Sequence, residues 1–283
     1  MTPVPFSLLR LRLIAANTFL EAVRQRLFLF LLLVAVGLVV SVQFFRDFNF
    51  GSSELKFVAD FGFGALVFFG SILTIAATAQ LFFSEIENRT ALTLLAKPVW
   101  RAEFIFGKFL GVWAVVGVFC VLTTSLLMGL LWSRETALMT AHPDAFATGR
   151  LVNYGAVVVA AGLQWLKFGV LVMITLLIAS FSHTNLFTVV MSFFVLVICH
   201  LQYLAREAYA TGSGVVGRSL VLGLSWLFPN FQVFNVADAV GVIGGGNGEP
   251  LPVAVIGRAA VYGVVYLAVL GSLAVYSFRQ REI

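Results

Sequence analysis

Long apolar runs divided by short polar ones set the pattern of this chain. Six stretches reach the roughly 20 residues a helix needs to cross a hydrocarbon core. They are residues 27–45, 58–83, 109–132, 154–181, 186–204 and 253–278. Ahead of the first, Leu9, Leu13, Ala16, Leu20 and Val23 recur at helical spacing, with Arg10, Asn17, Glu21 and Arg24 opposite. That alternation predicts an amphipathic helix within residues 1–26, lying in the membrane interface. Arg10, Arg12, Arg24 and Arg26 would hold it to anionic headgroups. A plain extension of the first crossing is the alternative.

The connections are uneven. Ser182, His183, Thr184 and Asn185 leave room only for a tight turn between the fourth and fifth crossings. Residues 205–252 form the longest connection. Within it SLVLGLSWLF (219–228) is apolar but too short to span, Pro229 follows, and GGGNGEPLP is rich in turn formers. This predicts short helices dipping into the outer leaflet, then a loose linker. The expected fold is an all-α integral membrane protein. It is one transmembrane domain over residues 1–283, with six crossings, the interfacial helix, a charged cytoplasmic element at 84–108 and the re-entrant region at 205–252.

Composition narrows the class. The 283 residues are 60% hydrophobic and 11% charged, whereas soluble domains are about a quarter charged. The net charge of +5 points to no nucleic acid, because Lys and Arg gather at the ends of apolar segments. Counting basic residues beside the crossings gives orientation. One side carries Arg10, Arg12, Arg24, Arg26, Arg89, Lys97, Arg101, Lys108, Arg279 and Arg281; the other has Arg46, Lys56, Arg134, Arg150, Arg206, Arg218 and Arg258. Both termini are therefore expected in the cytoplasm. The first crossing lacks a small-residue cleavage site and is expected to stay as an anchor. Cys120 and Cys199 fall inside apolar segments and read as buried small hydrophobes. His142, His183 and His200 form no H-E-x-x-H pattern, and Gly107-Lys108 lacks the rest of a phosphate loop. The sequon Asn88-Arg89-Thr90 lies on the expected cytoplasmic side. The chain is expected to bind no metal or cofactor and to be no enzyme in its own right.

The densest run of ionisable residues is SEIENRTALTLLAKPVWRAEFIFGK, residues 84–108. Ser84 and Glu87 fit a capping box, so a helix is expected to start at Ser84. Glu85 and Arg89 stand in the favourable order for a helical pair. Pro98 ends that helix, and a second starts near Trp100 with Arg101 and Lys108 on one face. On pattern alone this is either an ordinary charged loop or a handle gripped from outside the membrane.

One charge lies well inside a span. Lys167 precedes the tight turn by fifteen residues and His200 follows it by fifteen, so both sit roughly 22 Å above that turn. Gln164 and Gln202 fall near the same level. The plainer reading is a lysine snorkelling to the outer headgroups. The sharper one makes Gln164, Lys167 and His200 a polar layer on a substrate path or subunit interface.

The run EIENRTALTLLAKPVWRAEFIFGKFLG resembles the cytoplasmic signature of the type-2 permeases of ATP-binding cassette (ABC) transporters. Members carry an acidic residue, then E-x-x-x-x-T-L-x-x-L-L, Pro, Arg and Gly-Lys between the second and third crossings. Here those positions are Glu85 or Glu87, Thr90 to Leu95, Pro98, Arg101, Gly107 and Lys108, with Ala91 in place of the first Leu. Within the family the run is most similar to permeases of the nitrous-oxide-reductase maturation transporters. The resemblance implies a membrane-spanning subunit that pairs with a second permease copy, each copy resting on a cytoplasmic ATPase that binds the ATP and Mg. It implies a bacterial inner-membrane location and, as usual in the family, export. Glu85, Glu87, Arg89 and Thr90 would contact the ATPase, together with Leu94, Lys97, Pro98 and Arg101. A membrane-embedded enzyme using the Lys167–His200 layer, or an assembly factor without ATP-linked transport, are the competing classes.

Overall fold

The computed structural model describes residues 7–44, 54–87, 100–146, 149–210, 228–236, 242–243 and 252–280. Among them seven α-helices follow in chain order: α1 Leu8–Arg24, α2 Arg26–Ser41, α3 Glu54–Glu87, α4 Arg101–Ala141, α5 Tyr154–Phe181, α6 Asn185–Ala210 and α7 Val253–Gln280. The described residues hold no strand beyond one antiparallel bridge between Val152 and Ile243. Helices α2 to α7 are each long and apolar enough to cross a membrane. The all-α architecture with six crossings is therefore as expected. Residues 88–99 and most of 205–252 lie outside the described residues, and with them the expected helix through Thr90 and Leu94 and the apolar segment 219–228.

We call the end of the bundle holding Leu8 and Gln280 proximal, and the other distal. α3 and α5 are the most enclosed crossings, while α2, α6 and α7 turn much of their surface outward. α5 packs against α3, α4, α6 and α7 and forms the centre. α4 has 41 residues, about 61 Å of helix. It therefore outruns a ~30 Å core at both ends, where the sequence pattern placed only 109–132. Nothing in SRETALMTA breaks a helix, and the distal extension buries Glu135. Its carboxylate accepts Leu151 N–H at 2.8 Å, Val152 N–H at 2.9 Å and the Tyr154 hydroxyl at 2.8 Å. Beside it Arg134 pairs with Glu54, fastening the distal ends of α3 and α4.

Between α4 and α5 the chain makes a reciprocal clasp. Trp113 Nε1 donates to Trp165 O and Trp165 Nε1 donates to Trp113 O, both at 3.0 Å. The rings stack with centroids 4.2 Å apart. Each indole lies over a glycine one turn along the facing helix: a Cβ on Gly117 would stand 2.9 Å from Trp165 Nε1, and one on Gly169 2.9 Å from Trp113 Nε1.

α1 keeps its expected apolar stripe outward, with Leu9, Leu13 and Leu20 exposed, as an interfacial helix requires. A third face does the packing. Thr18 and Ala22 are buried, and α1 runs along the start of α4. Gly107 and Gly111 make this possible: a Cβ on Gly107 would meet Ile14 Cγ2 at 2.6 Å, and one on Gly111 would meet Ala15 O at 2.7 Å. Gln25, extended at ψ 133°, breaks α1 from α2, so α1 is a separate helix and not a straight extension of the first crossing.

One expected helix start is overturned. α3 continues through Ser84 to Glu87, so Ser84 caps nothing. Its hydroxyl lies 3.2 Å from Glu21 Oε1 on α1 and 3.4 Å from Leu81 O. Burial of Phe82 and Phe83 against neighbouring helices carries the helix past the point where the polar run begins. At the tight turn, Thr184 caps α6 by accepting Phe187 N–H at 3.3 Å. Ser182 and Thr188 share a hydrogen bond across it.

Candidate functional site

Buried polar side chains gather in two clusters. The first lies at the proximal end and flanks residues 88–99. Glu103, fully buried, sits in the first turn of α4. Its Oε2 accepts Trp100 N–H at 3.1 Å, one half of a capping box. Its Oε1 accepts Ser7 N–H at 2.7 Å and pairs with Arg10 at 3.0 Å, tying α1 to α4. Lys108, 1% exposed, reaches back to α3, donating to Leu81 O at 2.8 Å and pairing with Glu85 at 2.7 Å. Arg101 donates to Phe278 O at 2.9 Å and Arg279 O at 2.5 Å, the last carbonyls of α7. A cation there also complements the helix dipole. Phe82, Phe104 and Phe278 close the centre of the cluster, each ring within 6.1 Å of the next.

Of the residues expected at an ATPase contact, Glu85 and Arg101 are therefore engaged inside the bundle. Glu87 ends α3, and its side chain is outside the described set. So are Arg89, Thr90, Leu94, Lys97 and Pro98. Sequence reading missed Glu103 as a hub. The signal available was its place three residues after Trp100, at the start of a helix.

The second cluster lines a cleft of about 790 Å³ between α3, α5 and α6, bounded by the short turn Phe231–Phe234. Gln164, Lys167 and His200 all face it, so the level inferred by counting from the turn brings them together. Asp60, Gln232 and Asn235 join them, three residues that the sequence pattern did not pick out. Phe63, Phe68, Phe193 and Phe231 provide aromatic walls.

Lys167 does not extend to the surface. It is 3% exposed, with its ammonium 5.4 Å from the Phe168 ring centroid. Among the described residues no carboxylate lies within ion-pair distance of it. The snorkelling expectation fails because Lys167 stands on α5, the helix enclosed on most sides, so its stem has no open route outward. Gln164 donates to Phe234 O at 3.2 Å, but its Oε1 is buried without a hydrogen-bond partner. His200 packs edge-on against Phe231 at 5.5 Å, and its Nδ1 is 3.0 Å from Leu196 O. A carbonyl only accepts, so Nδ1 carries the hydrogen and Nε2 of the neutral ring keeps its lone pair. Gln202 donates to Phe228 O at 2.7 Å, and Tyr262 accepts Asn230 N–H at 2.7 Å. Together with Gln164 they hold the segment 228–236 between α5, α6 and α7.

A second groove of about 630 Å³ beside Trp165 is lined by Ala114, Gly117, Val121 and other small or apolar groups and has no charge. No group of three or more His, Cys, Asp or Glu able to hold a metal ion occurs among the described residues. Cys120 and Cys199 are free and buried.

The curated proteins include no match to this chain. The family model of the ABC-2 family transporter proteins matches residues 12–283. Nearly the whole bundle, from the second turn of α1 past the end of α7, is thereby accounted for, and the chain belongs to the ABC-2 transporter family.

Proposed function

We propose that this chain is the permease subunit of an exporter in which two copies pair in the membrane, each resting on a separate cytoplasmic ATPase that binds ATP and Mg. On this reading the proximal end and both termini face the cytoplasm, in a bacterial inner membrane. Residues 88–99, with Glu87 and Arg101 beside them, form the ATPase contact. The observation that supports it is the fastening on both sides of that segment. Lys108 locks the last turn of α3 to α4, and Arg101 holds the end of α7. A force applied to residues 88–99 reaches α3, α4 and α7 together, instead of dissipating in one loose loop. The cleft holding Gln164, Lys167 and His200 is the part of the path that such a movement opens. The second copy would cover the outward apolar face of α6, where Leu186, Phe194 and Val197 are exposed, together with Phe68 of α3.

The test is the double reversal Glu87→Arg with Arg89→Glu. The expected result is weaker copurification of the ATPase, or a bound ATPase whose turnover in nanodiscs no longer drives transport. Unchanged copurification with coupled turnover sinks the contact. Orientation is tested by cysteine labelling from outside, which should reach Asn49, Asp144 and Asn247 but neither Asn88 nor Gln280.

A further inference from the structure

We propose that the groove between α4 and α5 holds a glycerophospholipid of the distal leaflet, one acyl chain along the groove and its phosphodiester at Arg150. The groove, of about 630 Å³, has the volume of a ligand site. On α4 its lining runs from Ala114 to Met128, about 21 Å of helix. That exceeds one leaflet's share of a ~30 Å core, long enough for a chain entering from the distal surface. Small residues make it concave. A Cβ on Gly162 would meet nothing within 4 Å, which marks open space in front of α5. Trp165 lines its proximal end, and the clasp with Trp113 fixes that ring in place. The walls carry no charged group, as a hydrocarbon chain requires.

Distally the groove adjoins a second cavity of about 470 Å³, which shares Met128 with it and is lined by Gly129, Trp132, Arg150 and Tyr154. Arg150 is the one charged group lining either cavity. Tryptophan and tyrosine beside it suit the headgroup level. The guanidinium stands over the Trp132 ring, 5.6 Å from its centroid. Its Nη1 lies 3.4 Å from Glu135 Oε2, and the Tyr154 hydroxyl is beside it. Glu135 already accepts three shorter hydrogen bonds, from Leu151, Val152 and Tyr154. A guanidinium has five N–H donors, so most of this fork is left for another acceptor, and the side chain is 30% exposed. The two free oxygens of a phosphodiester match that fork. Because Glu135 balances the charge, the site reads the phosphate through hydrogen bonds and sets no particular head beyond it. Neither the ATPase contact nor export is needed for this site.

The experiment measures radiolabelled dioleoylphosphatidylglycerol retained by the full chain in delipidated detergent micelles, with dioleoylglycerol and glycerol phosphate as competitors. Dioleoylglycerol has the same tails and no phosphate. It should compete about tenfold more weakly or worse, the effect of losing one charge-assisted hydrogen bond. Glycerol phosphate, the head without tails, should not compete. Arg150→Gln should erase the preference for phosphate while dioleoylglycerol still binds, which shows the groove intact. Arg150→Lys should keep part of it, as a point charge without the fork. Gly162→Leu fills the groove and should weaken both lipids about tenfold or more, the effect of displacing two buried methylenes. Gly257→Leu, at an open glycine on α7, should change neither. Equal retention of both lipids by the wild type, or a preference that survives Arg150→Gln, would overturn the proposal. So would displacement by glycerol phosphate, or a Gly162→Leu chain that binds like Gly257→Leu. A high yield of disulfide between copies of Gly162→Cys in membranes would put a second copy in the groove and overturn it too.

Discussion

Lys108 and Lys167 are both buried lysines in an apolar bundle, and their surroundings differ in one respect. Lys108 has a carboxylate at 2.7 Å and a carbonyl at 2.8 Å; Lys167 has a ring face and an open cleft. A buried charge that is fully partnered is part of the frame, since removing one member leaves the other stranded. One left unpartnered beside an accessible cavity contributes little to the frame and keeps its interaction for something that arrives. Burial alone therefore does not tell the two lysines apart; their partners among the described residues do.

The sharpest way to break the comparison is Lys108→Met. It removes the ion pair to Glu85 and the hydrogen bond to the Leu81 carbonyl, and the expected loss is about 3–5 kcal/mol. In detergent this should appear as a lower unfolding midpoint and aggregated protein, with Lys108→Met, Glu85→Gln recovering part of the loss in a double-mutant cycle. Additive losses would mean that the pair is not the frame element described. A smaller effect is expected from Gly111→Leu, which drives a side chain into Ala15 O and Thr18 at a cost of about 1–3 kcal/mol. Faster tryptic cleavage at Arg12 and Arg24 in the folded protein would report release of α1. Lys167→Met should leave the unfolding midpoint unchanged or raised, because it removes a buried charge with no carboxylate partner among the described residues. Transport or substrate-stimulated ATPase activity should fall about tenfold or more. A large loss of stability would place Lys167 with Lys108 and erase the distinction. The smallest stability effect belongs to Glu87→Arg with Arg89→Glu. The exchange leaves the net charge unchanged, and protein level should hold whatever happens to coupling.

What the amino-acid order revealed, and what it hid, follows from the range of each interaction. The crossings were legible because solvation acts on every residue, and twenty apolar positions in a row have few other fates in a helical protein. The grouping of Gln164, Lys167 and His200 was legible because a tight turn makes depth countable along two adjoining helices. Hidden were the contacts that depend on which helices meet. Glu103 and Glu135 look like ordinary charges near segment ends, and only the fold supplies Ser7, Arg10, Leu151 and Tyr154 as partners. The extension of α3 through Ser84 was misread because a local capping pattern gave way to burial of Phe82 and Phe83. The fate of Lys167 turned on the enclosure of α5, a property of the assembled bundle.

The tryptophan clasp has an optical consequence. Two indoles stacked with centroids 4.2 Å apart and planes within 10° act as a coupled pair of chromophores, with ultraviolet transitions that mix. That mixing gives a circular-dichroism couplet and a shifted emission, neither of which an isolated tryptophan in the same environment would show. Because one ring belongs to α4 and the other to α5, the signal lasts only while those helices stay in register. The molecule thus carries a label-free gauge of whether α4 and α5 travel as one body or slide apart when nucleotide is hydrolysed, and Trp113→Phe provides its blank.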